Sequence, residues 1–227
     1  MLDSARKSPD LPRLAVIVGS NRQDSINRKL AQALVRLGAG RFDASFARID
    51  NLPMFNQDNE GNLPPEVVRF KNELARADGV LIVTPEHDRS IPAVLKNAID
   101  WGARPWGKNS WAGKPAFITG TSPGAIGSAL AQQHLRSVMT GLGMILLGGE
   151  AYVTFKPNLI DEPGAIADDS TTKFLADFVD RFALLLTRLV PAAQGQGRVC
   201  RVHGVTAVVY VTCGGWTGGR RRRCRTR

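Results

Sequence analysis

The sequence predicts an α/β protein: a doubly wound, five-stranded parallel sheet with helices on both faces, three layers in all. Three observations carry this. Five short apolar runs alternate with stretches whose apolar residues recur every three or four positions. The first and third runs are apolar from end to end, as strands buried on both faces are. Crossovers between parallel strands are right-handed, which places the helices in two outer layers.

Leu14–Val18 is the first strand, ending at Gly19-Ser20. Ile26, Leu30, Leu34 and Leu37 then keep helical spacing, with Asp24 or Ser25 as N-cap and Gly38 as stop. Residues 42–49 alternate as a second strand, and a polar loop runs over 51–65. Val67, Phe70, Leu74 and Ala77 make one face of a second helix. Residues 79–84 are the third strand, and Ser90-Ile91-Pro92 opens a helix through Trp101 with Pro92 in its first turn. A fourth strand over 114–120 leads to a helix over 126–140. A fifth strand spans 144–147. The last helix, about 168–189, carries Phe174, Phe178, Phe182, Leu185 and Leu189 as one stripe.

The chain has 227 residues, 43% hydrophobic and 22% charged, enough for a real core. That excludes a disordered chain, a collagen and a disulfide scaffold. No apolar run approaches the ~20 residues of a membrane helix. The first residues lack the apolar stretch of a secretory signal, so a cytoplasmic location is expected. The net charge of +10 is concentrated at one end. Residues 1–189 carry 22 Lys/Arg against 20 Asp/Glu; residues 190–227 carry eight Arg and no acid. Cys200, Cys213 and Cys224 also lie beyond 189. The expected organisation is an N-terminal extension over 1–12, a domain over 13–189, and a Gly/Arg-rich tail over 190–227 outside the fold. Val205–Val211 in the tail is β-prone and association-prone. The basic run Arg220–Arg223 fits a nucleic-acid anchor or a sequence foreign to the domain, and the abrupt loss of acids favours the second.

In doubly wound sheets ligands sit beyond the carboxyl ends of the strands. The loop Gly19–Asn27 holds Ser20, Arg22, Ser25 and Asn27 ahead of a helix N-terminus. It suits a phosphate monoester, or else it is an ordinary N-cap with a solvated arginine. The loop Thr84–Pro92 starts with a stiff prolyl turn that suits a planar heterocycle with carbonyls; His87 and Asp88 read equally as turn residues. In Gly120–Gly127, Ser122 and the Gly124 amide suit a ring carbonyl, or the segment is a tight strand-to-helix turn. Neither GxxxxGK[ST] nor GxGxxG occurs, against a nucleoside-triphosphate loop and a dinucleotide-binding turn.

Together the three loops resemble the NADPH-dependent FMN reductase family of flavodoxin-like proteins, which includes quinone, azo-dye and chromate reductases. The matching segments are Gly19-Ser-x-Arg-x-x-Ser-x-Asn-x-x-Leu-Ala31, Thr84-Pro-Glu-His-Asp-Arg-Ser-Ile-Pro-Ala-Val-Leu-Lys-Asn-Ala-Ile-Asp-Trp101, and Ser122-Pro-Gly-Ala-Ile-Gly127 followed by Gln132-Gln-His-Leu-Arg136. The likeness covers roughly residues 13–189. It implies a flavodoxin-like fold, bound FMN, and NADPH or NADH as co-substrate. It implies that Ser20, Arg22, Ser25, Ile26 and Asn27 hold the phosphate. Pro85, Glu86, His87 and Asp88 would line the ring, and Ser122 and Gly124 would face its pyrimidine side. A homodimer or homotetramer is implied, with the flavin near the subunit interface. At Asp88 the family usually has Asn.

The implied reaction is hydride transfer through FMN to small electrophiles such as quinones, azo compounds or chromate, and it requires no catalytic side chain. His87, the one histidine in the loops, is the residue to test as a proton donor, against a plain turn contact. Glu86 reads as a base or, better, as a cap or backbone anchor. Trp101, Trp106 and Trp111 wall the flavin or substrate pocket, or else serve packing or a subunit interface. Arg136 bridges subunits or is solvated. A flavodoxin-type electron carrier and nucleic-acid binding through the tail are the rival functions. The near-neutral domain disfavours the carrier.

Overall fold

The computed structural model describes residues 11–161 and 164–190, and the main chain of 199–202 and 205–208. The chain falls into two units, Met1–Val190 and Pro191–Arg227. In the second, Val199–Val202 and Val205–Val208 form an antiparallel pair. The tail's cysteines at 213 and 224, its basic run, and residues 1–10 lie outside the described residues.

The first unit holds β1 (Arg13–Val18), α1 (Ile26–Leu37), β2 (Asp43–Ala47), α2 (Pro65–Arg76), β3 (Gly79–Val83), α3 (Ala93–Ala103), β4 (Pro115–Ser122), α4 (Ala129–Gly141), β5 (Ile145–Leu146), β6 (Tyr152–Thr154) and α5 (Asp169–Leu189). The sheet is parallel, in the order β2-β1-β3-β4-β5, with β6 also on β4. This is the expected doubly wound topology with one change: the fifth position is shared. β5 pairs with the start of β4 at Pro115–Ala116, and β6 with its end at Gly120–Ser122. Between them the chain leaves the sheet. Arg136 donates to the carbonyls of Leu147 and Gly149, and Arg181 to that of Gly148, so the bulge keeps hydrogen-bond partners.

Strand residues alternate between two cores. Ala15, Ile17, Val80, Ile82, Ala116 and Ile118 face α2, α3 and α4. Leu14, Val16, Val18, Leu81, Val83 and Phe117 face α1 and α5. The expected α5 stripe is rotated. Leu175, Phe178, Val179, Phe182 and Leu186 are buried, whereas Phe174 and Leu189 are 44% and 40% exposed. At about 100° per residue Phe174 lies to one side of the buried arc, and Leu189, though on that arc, is the last residue of the helix and has no further turn beside it. The buried face follows the i, i+3, i+4, i+7 pattern from Leu175 to Phe182, with Leu186 one turn on.

Two further boundaries differ. Pro92 is the N-cap of α3 and lies outside its first turn. α4 starts at Ala129, three residues later than expected, because Gly124–Gly127 closes a turn of its own (Gly127 N–H to Gly124 O, 3.0 Å) with Gly127 at φ 60°.

Candidate functional site

The three informative loops leave the carboxyl ends of β1, β3 and β4, which are neighbours in the sheet. Their bases touch. Gly19 N–H donates to Val83 O at 2.8 Å, and Thr84 N–H to Thr119 O at 3.0 Å. A Cβ on Gly120 would lie 1.9 Å from Thr84 O and 2.4 Å from Ser128 Oγ, so only glycine fits there.

The β1–α1 loop is open. Ser25 is the N-cap of α1; its Oγ accepts from Arg28 N–H at 3.3 Å, which leaves its hydroxyl proton free. Ser20 Oγ accepts weakly from Arg22 N–H at 3.4 Å. Among the described residues the peptide N–H groups of Ser25, Ile26 and Asn27 have no acceptor, and the exposed Arg22 guanidinium has no partner. Asn27 corrects one expectation. Its carboxamide is buried and spent on β4: Nδ2 donates to Thr121 O and Oδ1 accepts from Thr121 N–H, both at 2.9 Å. Its peptide N–H is left for an anion.

The loop after β3 is closed. Thr84 Oγ1 donates to Pro85 O at 2.8 Å, which fixes the prolyl turn. His87 and Ser90 exchange both main-chain hydrogen bonds, at 3.0 and 2.9 Å. Asp88 and Arg89 between them have φ of 48° and 64°, the pattern of a type I′ turn. His87 and Asp88 have exposed side chains. Glu86 Oε2 accepts from Leu130 N–H at 2.9 Å and Ala131 N–H at 3.2 Å. Of the two roles read for Glu86, the structure assigns the cap; the carboxylate is not held as a base.

In the loop after β4, Ser122 Oγ accepts from Gly124 N–H at 3.1 Å. That pair is closed on itself, so the Gly124 amide is not presented to a ring carbonyl. The adjacent N–H groups of Ala125 and Ile126 have no acceptor among the described residues.

The tryptophans separate. Trp101 and Trp111 are core residues with indole N–H bonds to Pro53 O (2.7 Å) and Ile99 O (3.0 Å), whereas Trp106 is 88% exposed. Lys71 pins the Trp106 segment, donating to Gly102 O, Lys108 O and Ser110 Oγ, and burial lowers its pKa. Arg136 spends Nη1 and Nη2 on the carbonyls of Leu147 and Gly149 within its own chain, in place of a solvated face. A groove of about 680 Å³ lies elsewhere, lined by Tyr152, Thr154, Lys156, Asn158, Asp168 and Phe174 among others, and includes no residue of the three loops.

Sequence reasoning missed Ser90 and His134, whose Oγ and Nδ1 lie 3.1 Å apart, and the α4 amides that receive Glu86. The one available signal was the absence of any acidic residue in the first turn of α4.

Comparison with known proteins bears on this geometry. Residues 12–157 match the family model for NADPH-dependent FMN reductase. The chain is 47% identical over 172 residues, 75% of its length and 94% of the relative's, to a 2-hydroxy-1,4-benzoquinone reductase of a Burkholderia species. It is 45% identical to a quinone reductase of Pseudomonas putida, covering 75% and 92% of the two chains. Among solved structures it is similar to the flavoenzyme NAD(P)H:(acceptor) oxidoreductase FerB of Paracoccus denitrificans. That likeness has 42% identity and a TM-score of 0.76 over 78% of this chain and 98% of that one.

Proposed function

This chain belongs to the NADPH-dependent FMN reductase family, and from that premise we propose that it is an NAD(P)H-dependent, FMN-containing quinone reductase. The observation that carries the reading is the contrast of donors at one rim. An unengaged set of N–H groups, two hydroxyls and a guanidinium stands after β1, beside a rigid turn after β3. The first matches a phosphate monoester and the second a flat ring.

When bound, FMN supplies hydride transfer between the nicotinamide and the acceptor. The protein's residues bind and orient. Arg22, the Ser20 and Ser25 hydroxyls, and the amides of Ile26 and Asn27 hold the phosphate. Pro85 and the main chain of Glu86, His87 and Asp88 support the ring. The loop Ser122–Gly127 would face the pyrimidine edge through the amides of Ala125 and Ile126, with the Gly124 amide kept on Ser122 Oγ to shape the turn. His87 is free to move a proton at the ring edge, since its turn bonds use only its main chain. The other electrophiles named above remain acceptors by the same chemistry.

Among the described residues no helix is long and apolar enough to cross a membrane. A cytoplasmic homodimer or homotetramer, with residues 190–227 dispensable and no nucleic-acid partner, completes the proposal. The test is an absorption spectrum and an anaerobic titration with NADPH and NADH. A yellow protein bleached by either, with electrons passed on to a benzoquinone, is expected. A colourless protein that ignores added FMN ends the reading, and flavin that neither nicotinamide bleaches marks a carrier. Truncation after Leu189 is expected to leave bleaching intact.

A further inference from the structure

The turn after β3 is bolted to α4 on both of its shoulders. Glu86 stands before the turn and accepts from the N–H groups of Leu130 and Ala131. Ser90 closes the turn, and its Oγ lies 3.1 Å from Nδ1 of His134. Residues 130 and 134 are one helical turn apart, and helical side chains lean toward the N-terminus, so both ties land at the same end of α4. Between the ties sit Asp88 and Arg89 at φ 48° and 64°. Two adjacent left-handed residues without glycine are strained, and they persist where the surroundings hold them.

The helix needs the tie as well. α4 has no acidic residue in its first turn, and its N-cap Ser128 makes no capping bond. Ser128 Oγ accepts instead from Gln132 Nε2 at 3.1 Å. Glu86, 44 residues before Leu130, supplies the cap from another loop. Its side chain is only 10% exposed, and Arg89 Nη1 lies 3.6 Å from Oε1. The second tie is indifferent to the charge of His134. A serine hydroxyl donates to an unprotonated Nδ1 and accepts from a protonated one.

We propose that Glu86, Ser90 and His134 are positioning residues that lock the Asp88–Arg89 turn against α4. They thereby set the spacing of the two loops, after β3 and β4, between which the flavin ring is held. This rests on the FMN reading above and adds a mechanical part to it. The Glu86 carboxylate also neutralises the positive end of α4, which opens onto the same rim.

The test uses the full chain, apo and loaded with FMN. Readouts are amide exchange at Leu130 and Ala131 in the apoprotein, FMN affinity, visible circular dichroism of the bound flavin, and its midpoint potential. Glu86→Ala is expected to speed exchange at both amides and weaken FMN binding about tenfold or more. Glu86→Gln keeps an acceptor and loses the charge, so affinity returns to within about threefold of wild type while the potential becomes less negative. Ser90→Ala and His134→Ala each weaken FMN about threefold and change its dichroism. The double variant is no worse than either, because the two side chains share one bond. If Glu86→Ala fails to fold, the Ser90 and His134 variants decide. Unchanged exchange in Glu86→Ala, or unchanged affinity, dichroism and potential across the variants, overturns the lock while the FMN reading stands. A wild-type chain that binds no FMN overturns the reading itself.

Discussion

The loops after β1 and β3 leave adjacent strands at the same rim, yet they spend their polar groups in opposite ways. After β3 the side chains of Thr84, Glu86 and Ser90 are bonded within the protein, to Pro85 and to α4. After β1 the amides of three consecutive residues and the Arg22 guanidinium are unengaged. The difference teaches that a cofactor site is built from two kinds of polar group. Closed ones hold the frame, and open ones, which the fold leaves without partners, wait for a ligand. Breaking a closed contact should cost stability; breaking an open one should cost binding.

The largest effect expected is on the frame. Gly120→Ala places a methyl group 1.9 Å from Thr84 O, a main-chain atom that cannot swing away. Destabilisation of about 3 kcal/mol or failure to fold is expected, read by urea unfolding. Gly124→Ala is the control. Its nearest neighbour would be Ser122 Oγ at 3.4 Å, so stability should stay within about 1 kcal/mol. Equal outcomes would erase the distinction between a crowded floor and an open rim.

On the open side, Arg22→Ala with Ser25→Ala should lower FMN affinity about a hundredfold, since each loss removes a charge-assisted or hydroxyl donor. Stability should fall by only about 1 kcal/mol, from the lost Ser25 cap. Fluorescence titration of the apoprotein and thermal melts separate the two quantities. Undiminished FMN binding would mean that the phosphate sits elsewhere.

Much of this was legible in the sequence. β1 and β3 were visible because a strand buried on both faces has no polar positions, and Ser25 because an N-cap is a local event. What was hidden depends on approach in space. Nothing near Asn27 announces that its carboxamide is spent on Thr121, 94 residues away, and nothing near Glu86 announces α4. The division of the fifth position between β5 and β6 was equally invisible, because Tyr152–Thr154 is too short to show a period. The α5 stripe failed for simpler reasons: it was centred to one side of the buried arc, which exposes Phe174, and it ran to the last residue of the helix, where Leu189 has no neighbouring turn.

Asp168 offers a self-contained counterpart to Glu86: it caps its own helix, α5, accepting from Thr171 N–H at 2.6 Å. The hydrogen bond with the Thr171 side chain, then that of Ser170 and the Thr171 N–H, hold its pKa down to about 2. A carboxyl group whose pKa is lower folded than unfolded stabilises above its unfolded value, 3.8, and that contribution is lost as pH falls toward about 2. Melting temperatures taken from pH 5 to pH 2 should therefore drop less steeply for Asp168→Asn than for the wild type. Parallel curves would show that this exposed cap does not contribute.

The smallest structural effect, and the most informative about the ring, is expected of Asp88→Asn. Asp88 is exposed at φ 48°, a conformation that Asp and Asn both tolerate, and among the described residues it has neither a hydrogen bond nor an ion pair. Stability should change by less than about 0.5 kcal/mol. Its charge is another matter. A carboxylate on the turn proposed to line the ring would oppose negative charge gained there on reduction, by the like-charge effect that shifts pKa values. Removing it should make the midpoint potential of bound FMN less negative, as followed by anaerobic titration against a reference dye. Because the Glu86 carboxylate faces the helix end and that of Asp88 faces solvent, Asp88→Asn should move the potential without touching amide exchange at Leu130, whereas Glu86→Ala should change both. Identical behaviour of the two variants would mean that the turn acts as one charged unit, and the separation of frame from open rim would fail at its closest approach to the cofactor.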